Sequence, residues 1–301
     1  MFTPPSCTRF LENMDNITNK LYLVPSPLGE YEPERVIPAP VLELLGSVGI
    51  YVVEELRTVR RYLSKAGLRG RIDALEFHEL NEHTDAATVE SYLELFQRGD
   101  VALISEAGLP AVADPGAQLV ALCQRHGIQV VPFVGPSSLM LALMASGLNG
   151  QAFEFCGYLP AKPAERRGRL KSIEKEVSAS GRSHIFIETP YRNDSMLTDI
   201  CTVCEDSTLV CVAADITTSD EFIRTLPVRE WKRKVGGGFK VGKRPCVYII
   251  GVAPGCGAAE KLVSHERSEE RHRSDDHVGR RSPEGRRMKG TGEKYRNKNK
   301  S

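Results

Sequence analysis

The stretch VALISEAGLPAVADPG, residues Val101–Gly116, decides the fold. Its apolar start, Val101–Ile104, predicts a short buried strand. The chain then turns through small residues and prolines, and a run with helical spacing follows from about residue 117, with Asp114 placed to cap it. A loop at the carboxyl end of a strand is where open α/β sheets bind ligands. The stretch therefore predicts a strand–loop–helix unit that carries a ligand site.

Similar units occur before and after this stretch. Up to residue 150, the apolar runs predict strands at 21–24, 50–53, 72–77, 101–104 and 129–134. Helical patterns between them predict helices at 41–48, 58–65, 84–97, 115–126 and 139–145. This alternation predicts a largely parallel sheet with helices on both faces.

A second unit begins near residue 151. Strand patterns lie at 153–159, 184–187, 209–214, 221–226 and 246–251, with helices at 164–177 and from 193 to about 204. The later strands follow one another without long helices, which predicts a mixed sheet. The predicted fold class is α/β, with a mainly parallel sheet in the first domain, a mixed sheet in the second and a ligand in the cleft between them.

The two domains are expected at 21–150 and 151–252, between a leader at 1–19 and a basic tail at 253–301. Both end segments lack apolar periodicity and are predicted to be disordered. Residues 257–301 hold 13 lysines and arginines against 8 acidic residues, whereas the whole chain has a net charge of only +1. Residues 1–256 are therefore net acidic, and polyanion binding there must come from local basic patches.

The chain shows no signal for export or for a membrane. No apolar run approaches the roughly 20 residues that span a bilayer, and the first residues lack the apolar region of a secretory signal. The 8 cysteines are scattered through apolar runs, and Cys201-Thr-Val-Cys204 has no second pair nearby. We expect a cytoplasmic protein without disulfides, without a membrane anchor and without a metal site.

Three strand ends carry loops rich in glycine, proline and serine, at 25–30, 105–110 and 135–138. Convergent loops of this kind suit a ligand that is held mainly by backbone groups. Ordinary connections between strands and helices are the alternative, because these are also short and rich in glycine and proline. The pattern alone leaves both interpretations open.

Several collinear segments between residues 21 and 252 resemble one family: LYLVPSPLG at 21–29, NEHT at 81–84, SEAGLPAVADPG at 105–116, GPSS at 135–138, GYLPAKPAERRGRL at 157–170 and IFIETPYR at 185–192. They resemble the tetrapyrrole-methylase-like (class III) S-adenosylmethionine-dependent methyltransferases, and most closely the branch called ribosomal RNA small subunit methyltransferase I. The resemblance implies two α/β domains with S-adenosylmethionine between them and a homodimer. It also implies methylation of a cytidine ribose 2′-oxygen in small-subunit ribosomal RNA.

Carried over position by position, the resemblance implies a set of cofactor contacts from both domains: Pro25, Ser105, Glu106, Ala107, Gly108, Pro110, Ser137, Ser138, Glu188 and Ala213. Methyl transfer is an in-line displacement on an activated carbon, so positioning supplies much of the rate. A ribose hydroxyl is a weak nucleophile, which a general base would help. The candidate bases are Glu106, Glu55, His78 and Glu82, and a solvated or structural role is the alternative for each.

The segment from Lys162 to Lys171 holds five cations and one anion, the densest basic run between 21 and 252. We predict RNA contacts for this segment and for the residues after the next strand: Lys162, Arg166, Arg167, Arg169, Tyr191 and Arg192. A solvated helix face is the alternative for the basic run. Two rival functions stay open, methylation of a tetrapyrrole-like small molecule and cofactor binding without catalysis. A larger apolar cleft without surrounding cations would favour the small molecule.

Overall fold

A computed structural model describes residues 18–254, which form two five-stranded sheets. The predicted leader 1–19 and tail 253–301 lie almost wholly outside the described residues. The strands of the first sheet are β1 Leu21–Leu23, β2 Ile50–Val53, β3 Glu76–Glu79, β4 Val101–Ile104 and β5 Val130–Pro132. Their order is β3-β2-β4-β1-β5 and every pair is parallel, which confirms the predicted parallel sheet.

Helices cover both faces of this sheet because its central strands are apolar on both sides. Val52 and Leu103 pack under one apolar cluster, and their neighbours Tyr51 and Ile104 pack in another on the opposite face. The helices that follow the strands are α1 Ala39–Leu45, α2 Leu56–Leu63, α3 Ala86–Ser91, α4 Gly116–Arg125 and α5 Ser138–Ser146.

The second sheet is mixed, as predicted. Its strands are β6 Phe153–Tyr158, β7 Ser183–Glu188, β8 Leu209–Ala214, β9 Phe222–Pro227 and β10 Cys246–Gly251, in the order β6-β7-β10-β8-β9. Only β6 and β7 pair in parallel. One face is covered by three helices, α6 Pro163–Ser180, α7 Asn193–Val203 and α8 Val228–Gly236.

Helix α5 ties the two sheets together. It begins at the loop that follows β5, yet its residues Ala142 and Leu143 join Ile185, Ala213 and Val247 in one apolar cluster on the second sheet. The strand-end loops of the first sheet therefore lie beside the second sheet.

Three details differ from the sequence-based predictions. Residues 72–77 do not form one strand, because Ile72–Ala74 is a 3₁₀ turn and β3 starts only where the Glu76 N–H bonds to Gly49 O. The helix predicted at 84–97 divides into α3, which Asp85 caps, and a 3₁₀ segment, Tyr92–Gln97. Helix α8 was missed because charged residues dominate its sequence, although Trp231 anchors it in the core.

The described residues also bear on the environment of the protein. Among residues 18–254 no helix is long and apolar enough to cross a bilayer. The cysteines of this part are free thiols, and Cys201, within α7, and Cys204, at its end, are buried in the core. Packing therefore accounts for that pair.

Candidate active site

The three predicted loops meet at the carboxyl ends of β1, β4 and β5. The Ser26 N–H donates to Gly108 O at 2.9 Å, and the Gly108 N–H donates back to Ser26 O at 3.1 Å. Gly108 has a φ of 83°, and a Cβ there would lie 3.2 Å from Leu28 Cδ2. A Cβ on Gly135 would lie 2.1 Å from Pro25 Cβ, so only glycine fits. The loops thus interlock through their backbones.

A cavity of about 670 Å³ lies where these loops face the second sheet. This size is typical of small-molecule sites. Residues from both domains line it, including Ser26, Leu28, Gly29, Glu30, Tyr31, Thr58, Arg61, Tyr62, Lys65, Glu188, Ala213, Asp215 and Val247. We call it the larger cavity.

A smaller cavity of about 200 Å³ adjoins it. The two share five lining residues: Glu106, Ala107, Ser138, Tyr158 and Ile187. Glu54 and Asp114 line only the smaller cavity, and among residues 18–254 no lysine or arginine lines it. The two cavities therefore form one joined space with different charge in its two parts.

Most of the predicted cofactor residues line this joined space. Ser105, Gly108 and Ser137 line the smaller cavity, and Glu188 and Ala213 line the larger one. Three further predicted residues, Glu106, Ala107 and Ser138, line both cavities.

Pro25 and Pro110 line neither cavity. Both are buried, and Pro25 O accepts a hydrogen bond from the Tyr62 hydroxyl at 3.1 Å. The two prolines therefore support the loops and do not line the cavities.

Glu188 is the most deeply buried charged group of the larger cavity. Its Oε1 accepts from the Thr189 N–H at 2.7 Å and from Arg192 Nε at 2.8 Å. Its Oε2 is buried and has no partner among residues 18–254. A buried carboxylate oxygen without a donor is costly, which suits a group that completes its contacts when a ligand binds.

Two other carboxyl groups line the smaller cavity, one directly after strand β2 and one just before helix α4. Glu54 follows β2, and its Oε2 accepts the Glu106 N–H at 2.9 Å. Burial raises the pKa of Glu54 above its ordinary value. The negative charges of Asp114 and Glu106 raise this pKa further, whereas the hydrogen bond from the Glu106 N–H lowers it. Burial likewise raises the pKa of Asp114, whose Oδ2 has no partner among the described residues. The sequence analysis did not predict Glu54 as a site residue, although it directly follows β2, much as the predicted Glu106 follows β4 after one intervening residue.

The backbone before Asp114 is strained. Ala111 and Ala113 have φ values of 65° and 63°, in the left-handed region that residues with a Cβ rarely adopt. Asp114 Oδ1 accepts the Gly116 N–H at 2.7 Å. Strain of this kind collects at functional sites, and here it borders the smaller cavity.

Of the predicted catalytic candidates, only Glu106 lines the cavities. Glu55 caps α2, where its oxygens accept the N–H groups of Arg57 and Thr58, and these bonds lower its pKa. His78 lies in β3 with its Nε2 2.6 Å from Glu76 Oε1. Glu82 is exposed. A catalytic role for Glu55, His78 and Glu82 stays a prediction, and none of these residues lines either cavity.

The predicted basic segment forms the first turns of α6, and the structure revises it. Arg166 is only 2% exposed and its Nε donates to Asp199 Oδ2 at 2.7 Å. Arg167 reaches the same carboxylate at 3.3 Å, and Arg169 pairs with Glu176 at 2.7 Å. Arg166 is a core residue and has no donor facing solvent, so we remove it from the RNA contacts.

Two exposed tyrosines stand at the ends of neighbouring strands. Tyr158 is 58% exposed and lines both cavities. Tyr191, which follows β7, is 79% exposed, with Lys243 Nζ 5.0 Å from its ring centroid. Tyr158 was not predicted as a site residue, although it lies in the GYLP motif that flanks the basic segment.

One group of potential metal ligands lies away from the cavities. Atoms of Glu154, Cys156 and His184 lie within 4.8 Å of one another on the face of the second sheet that α6 covers. Burial lowers the pKa of His184, which favours the neutral ring. None of the three lines either cavity.

Comparison with known proteins places the chain among methyltransferases. The family model of the tetrapyrrole (corrin/porphyrin) methylases matches residues 20–232. Ribosomal RNA small subunit methyltransferase I of Escherichia coli O157:H7 is 37% identical over 219 residues, which are 73% of each chain. The protein of the same name from Vibrio cholerae is 36% identical over 210 residues, 70% of this chain and 69% of the relative.

Solved structures share the fold. The methyltransferase CobJ has a TM-score of 0.51 and 17% identity, covering 78% of this chain and 95% of its own. The cobalt precorrin-4 methyltransferase CbiF has a TM-score of 0.51 and 16% identity, covering 83% and 98%. The predicted resemblance is confirmed: the chain belongs to the tetrapyrrole (corrin/porphyrin) methylase family, in the branch of the ribosomal RNA small subunit methyltransferase I proteins.

Proposed function

We propose that the chain transfers the methyl group of S-adenosylmethionine to a ribose 2′-oxygen of small-subunit ribosomal RNA. The observation that carries this proposal is the joined pair of cavities between the strand ends of the two sheets. Arg61 and Lys65 line the larger cavity, which suits a polyanionic substrate. A tetrapyrrole with carboxylate side chains is also anionic, and methyl transfer to one acceptor or the other distinguishes the two.

The residues of the joined space fit S-adenosylmethionine. The small residues Ala107, Gly108 and Ala213 leave backbone groups within reach of a ligand. The free Oε2 of Glu188 offers a negative charge to a cationic group in the larger cavity. Bound S-adenosylmethionine supplies an activated methyl group for a single displacement. The loops and Glu188 hold and orient it, and orientation supplies much of the rate.

A residue of the chain must accept the proton that the ribose 2′-hydroxyl loses when it is methylated. We place the proton acceptor at Glu54, beside Glu106 in the smaller cavity. A carboxylate with a raised pKa takes up a proton more readily at neutral pH than an ordinary one. Glu106, the predicted candidate, positions Glu54 through its N–H.

The rim of the cavities supports RNA binding. Tyr158 and Tyr191 present exposed rings on which unpaired bases can stack. Lys162, Arg167 and Arg169 of α6 and Arg192 after β7 remain the proposed contacts to the RNA backbone. The proposed partner is the small ribosomal subunit or its RNA, which places the protein in the cytoplasm. A homodimer, implied by the family, belongs to the same proposal.

The decisive experiment offers two acceptors to the purified full-length chain with radiolabelled S-adenosylmethionine: unmethylated small ribosomal subunits and a porphyrinogen. We expect label in the RNA, and mapping by reverse transcription at limiting nucleotide should find one 2′-O-methylated cytidine. Label in the porphyrinogen alone would replace RNA by a small molecule. Binding of the cofactor without transfer to either acceptor would favour a protein without catalysis.

A further inference from the structure

Helix α2 carries a row of cations on one side. Arg57, Arg61 and Lys65 are spaced by four residues, which places them along one face as the helix continues into the turn Ser64–Leu68. Arg61 and Lys65 line the larger cavity, and among the described residues they are the only cations in its lining. Two of the three cations therefore face the larger cavity.

The segment Gly29–Pro33 lies against this row and carries acidic side chains to it. Glu30 forms an ion pair with Arg61, and Glu32 Oε1 lies 3.6 Å from Lys65 Nζ. The carboxylates are 79% and 67% exposed, so both pairs sit in water. Exposed pairs of this kind contribute little to stability, and another anion can replace them at little cost.

The same segment reaches the second domain. The hydroxyl groups of Tyr31 and Thr217 lie 2.6 Å apart, and Gly29 packs closely on Thr218. Glu30 and Tyr31 themselves line the larger cavity. The acidic segment thus lies along the cavity, held at its centre by a bond to the opposite domain.

We propose that Arg61 and Lys65 bind backbone phosphates of the RNA next to the methylated nucleotide, and that Glu30 and Glu32 occupy these cations until RNA replaces them. The inference rests on the proposed function. Arginine suits a phosphate because its planar donors bind two oxygens at once. The basic segment of α6 does not supply this role inside the cavity, since none of its cations lines either cavity.

The test measures binding of a fluorescent, unmethylated small-subunit RNA fragment to the full chain as a function of salt. Arg61→Gln/Lys65→Gln should bind more weakly and lower the log–log salt slope by about 1.4–1.8, for two lost phosphate contacts. Glu30→Gln/Glu32→Gln should bind more tightly than wild type. The matched control is Arg60→Gln/Arg69→Gln, which removes two cations from the same region that do not line the cavities. Its slope should stay within about 0.3 of wild type.

Far-UV circular dichroism and urea unfolding should be close to wild type in all three variants, which shows that each variant is folded. A wild-type slope in Arg61→Gln/Lys65→Gln, or no gain in Glu30→Gln/Glu32→Gln, overturns the inference while RNA methylation by wild type still stands. Absence of RNA methylation by the wild-type chain would overturn the proposed function itself.

Discussion

The smaller cavity is lined by Glu54, Glu106 and Asp114, whereas the larger one adds Arg61 and Lys65 to its acidic groups. The difference arises from the elements that supply the walls. Ends of β2 and β4 bring carboxyl groups to the smaller cavity, and helix α2 brings cations to the larger one. Under the proposed function, this difference separates proton transfer in the smaller cavity from phosphate recognition in the larger one.

The largest effect is expected from Glu54→Gln in the smaller cavity. Glutamine can still accept the Glu106 N–H but cannot take up the hydroxyl proton at neutral pH. Single-turnover methyl transfer should slow by about 10²–10⁴-fold while RNA affinity stays at the wild-type value. The control is Glu79→Gln, at the end of the neighbouring strand β3 and outside both cavities. If RNA affinity fell by the same factor as the rate, Glu54 would not act in proton transfer alone.

The pH dependence gives an independent check on Glu54. Because folding raises its pKa, the wild-type rate should fall as pH drops through that raised pKa, and this limb should vanish in Glu54→Gln. Stability runs the other way: ionised Glu54 costs free energy in the folded state, so stability falls as pH rises through the raised pKa. Glu54→Gln should therefore be the more stable protein at neutral pH in urea unfolding. A less stable variant would contradict the burial of its charge.

The next effect concerns the cations outside both cavities. Arg166→Ala leaves Asp199 in the core without its main partner and should cost about 3–5 kcal/mol of unfolding free energy. Arg167→Ala should cost less than about 1 kcal/mol, because that side chain is partly exposed. Denaturant melts of the two variants decide this. Similar losses of unfolding free energy in the two variants would contradict a structural role that is specific to Arg166.

A smaller effect is expected at Gly108, which lines the smaller cavity. Gly108→Val forces a branched side chain into a φ of 83° against Leu28. Strain and overpacking of about 1–3 kcal/mol should weaken S-adenosylmethionine binding by roughly tenfold to 100-fold in calorimetry. Gly127→Val is the control, since Gly127 has a φ of 68° but open space around it. If both variants bind equally, the loss is general strain and not a blocked cavity.

The smallest effect is expected from Lys162→Gln/Arg167→Gln at the rim. Lys162 pairs with Glu165 at 3.2 Å and Arg167 with Asp199 at 3.3 Å, and the Lys162 side chain is the more exposed of the two. We expect the salt slope of RNA binding to fall by about 0.7–0.9, equal to one phosphate contact. A larger drop than that of Arg61→Gln/Lys65→Gln would reverse the ranking of rim and cavity.

Much of the site was predictable from local pattern. Loops 25–30, 105–110 and 135–138 end parallel strands, and parallel strands bring their carboxyl ends to one edge, so their convergence follows from the alternation of strands and helices. Glu54 escaped prediction because a carboxylate after a strand is usually solvated. Arg166 was misplaced because charge density along the chain does not show which cation points inward.

The sequence by itself identified the family through its collinear motifs. It also determined the parallel and mixed sheets, through periodicity, and the glycines that let the loops interlock, through their backbone freedom. Tertiary structure alone decided which carboxyl groups are buried, which cations face a cavity and which pair in the core. Those properties depend on neighbours far apart in the chain: Glu54 with Asp114, Arg166 with Asp199, and Glu30 with Arg61. Burial and pairing of charge are set by such contacts, and no local pattern encodes them.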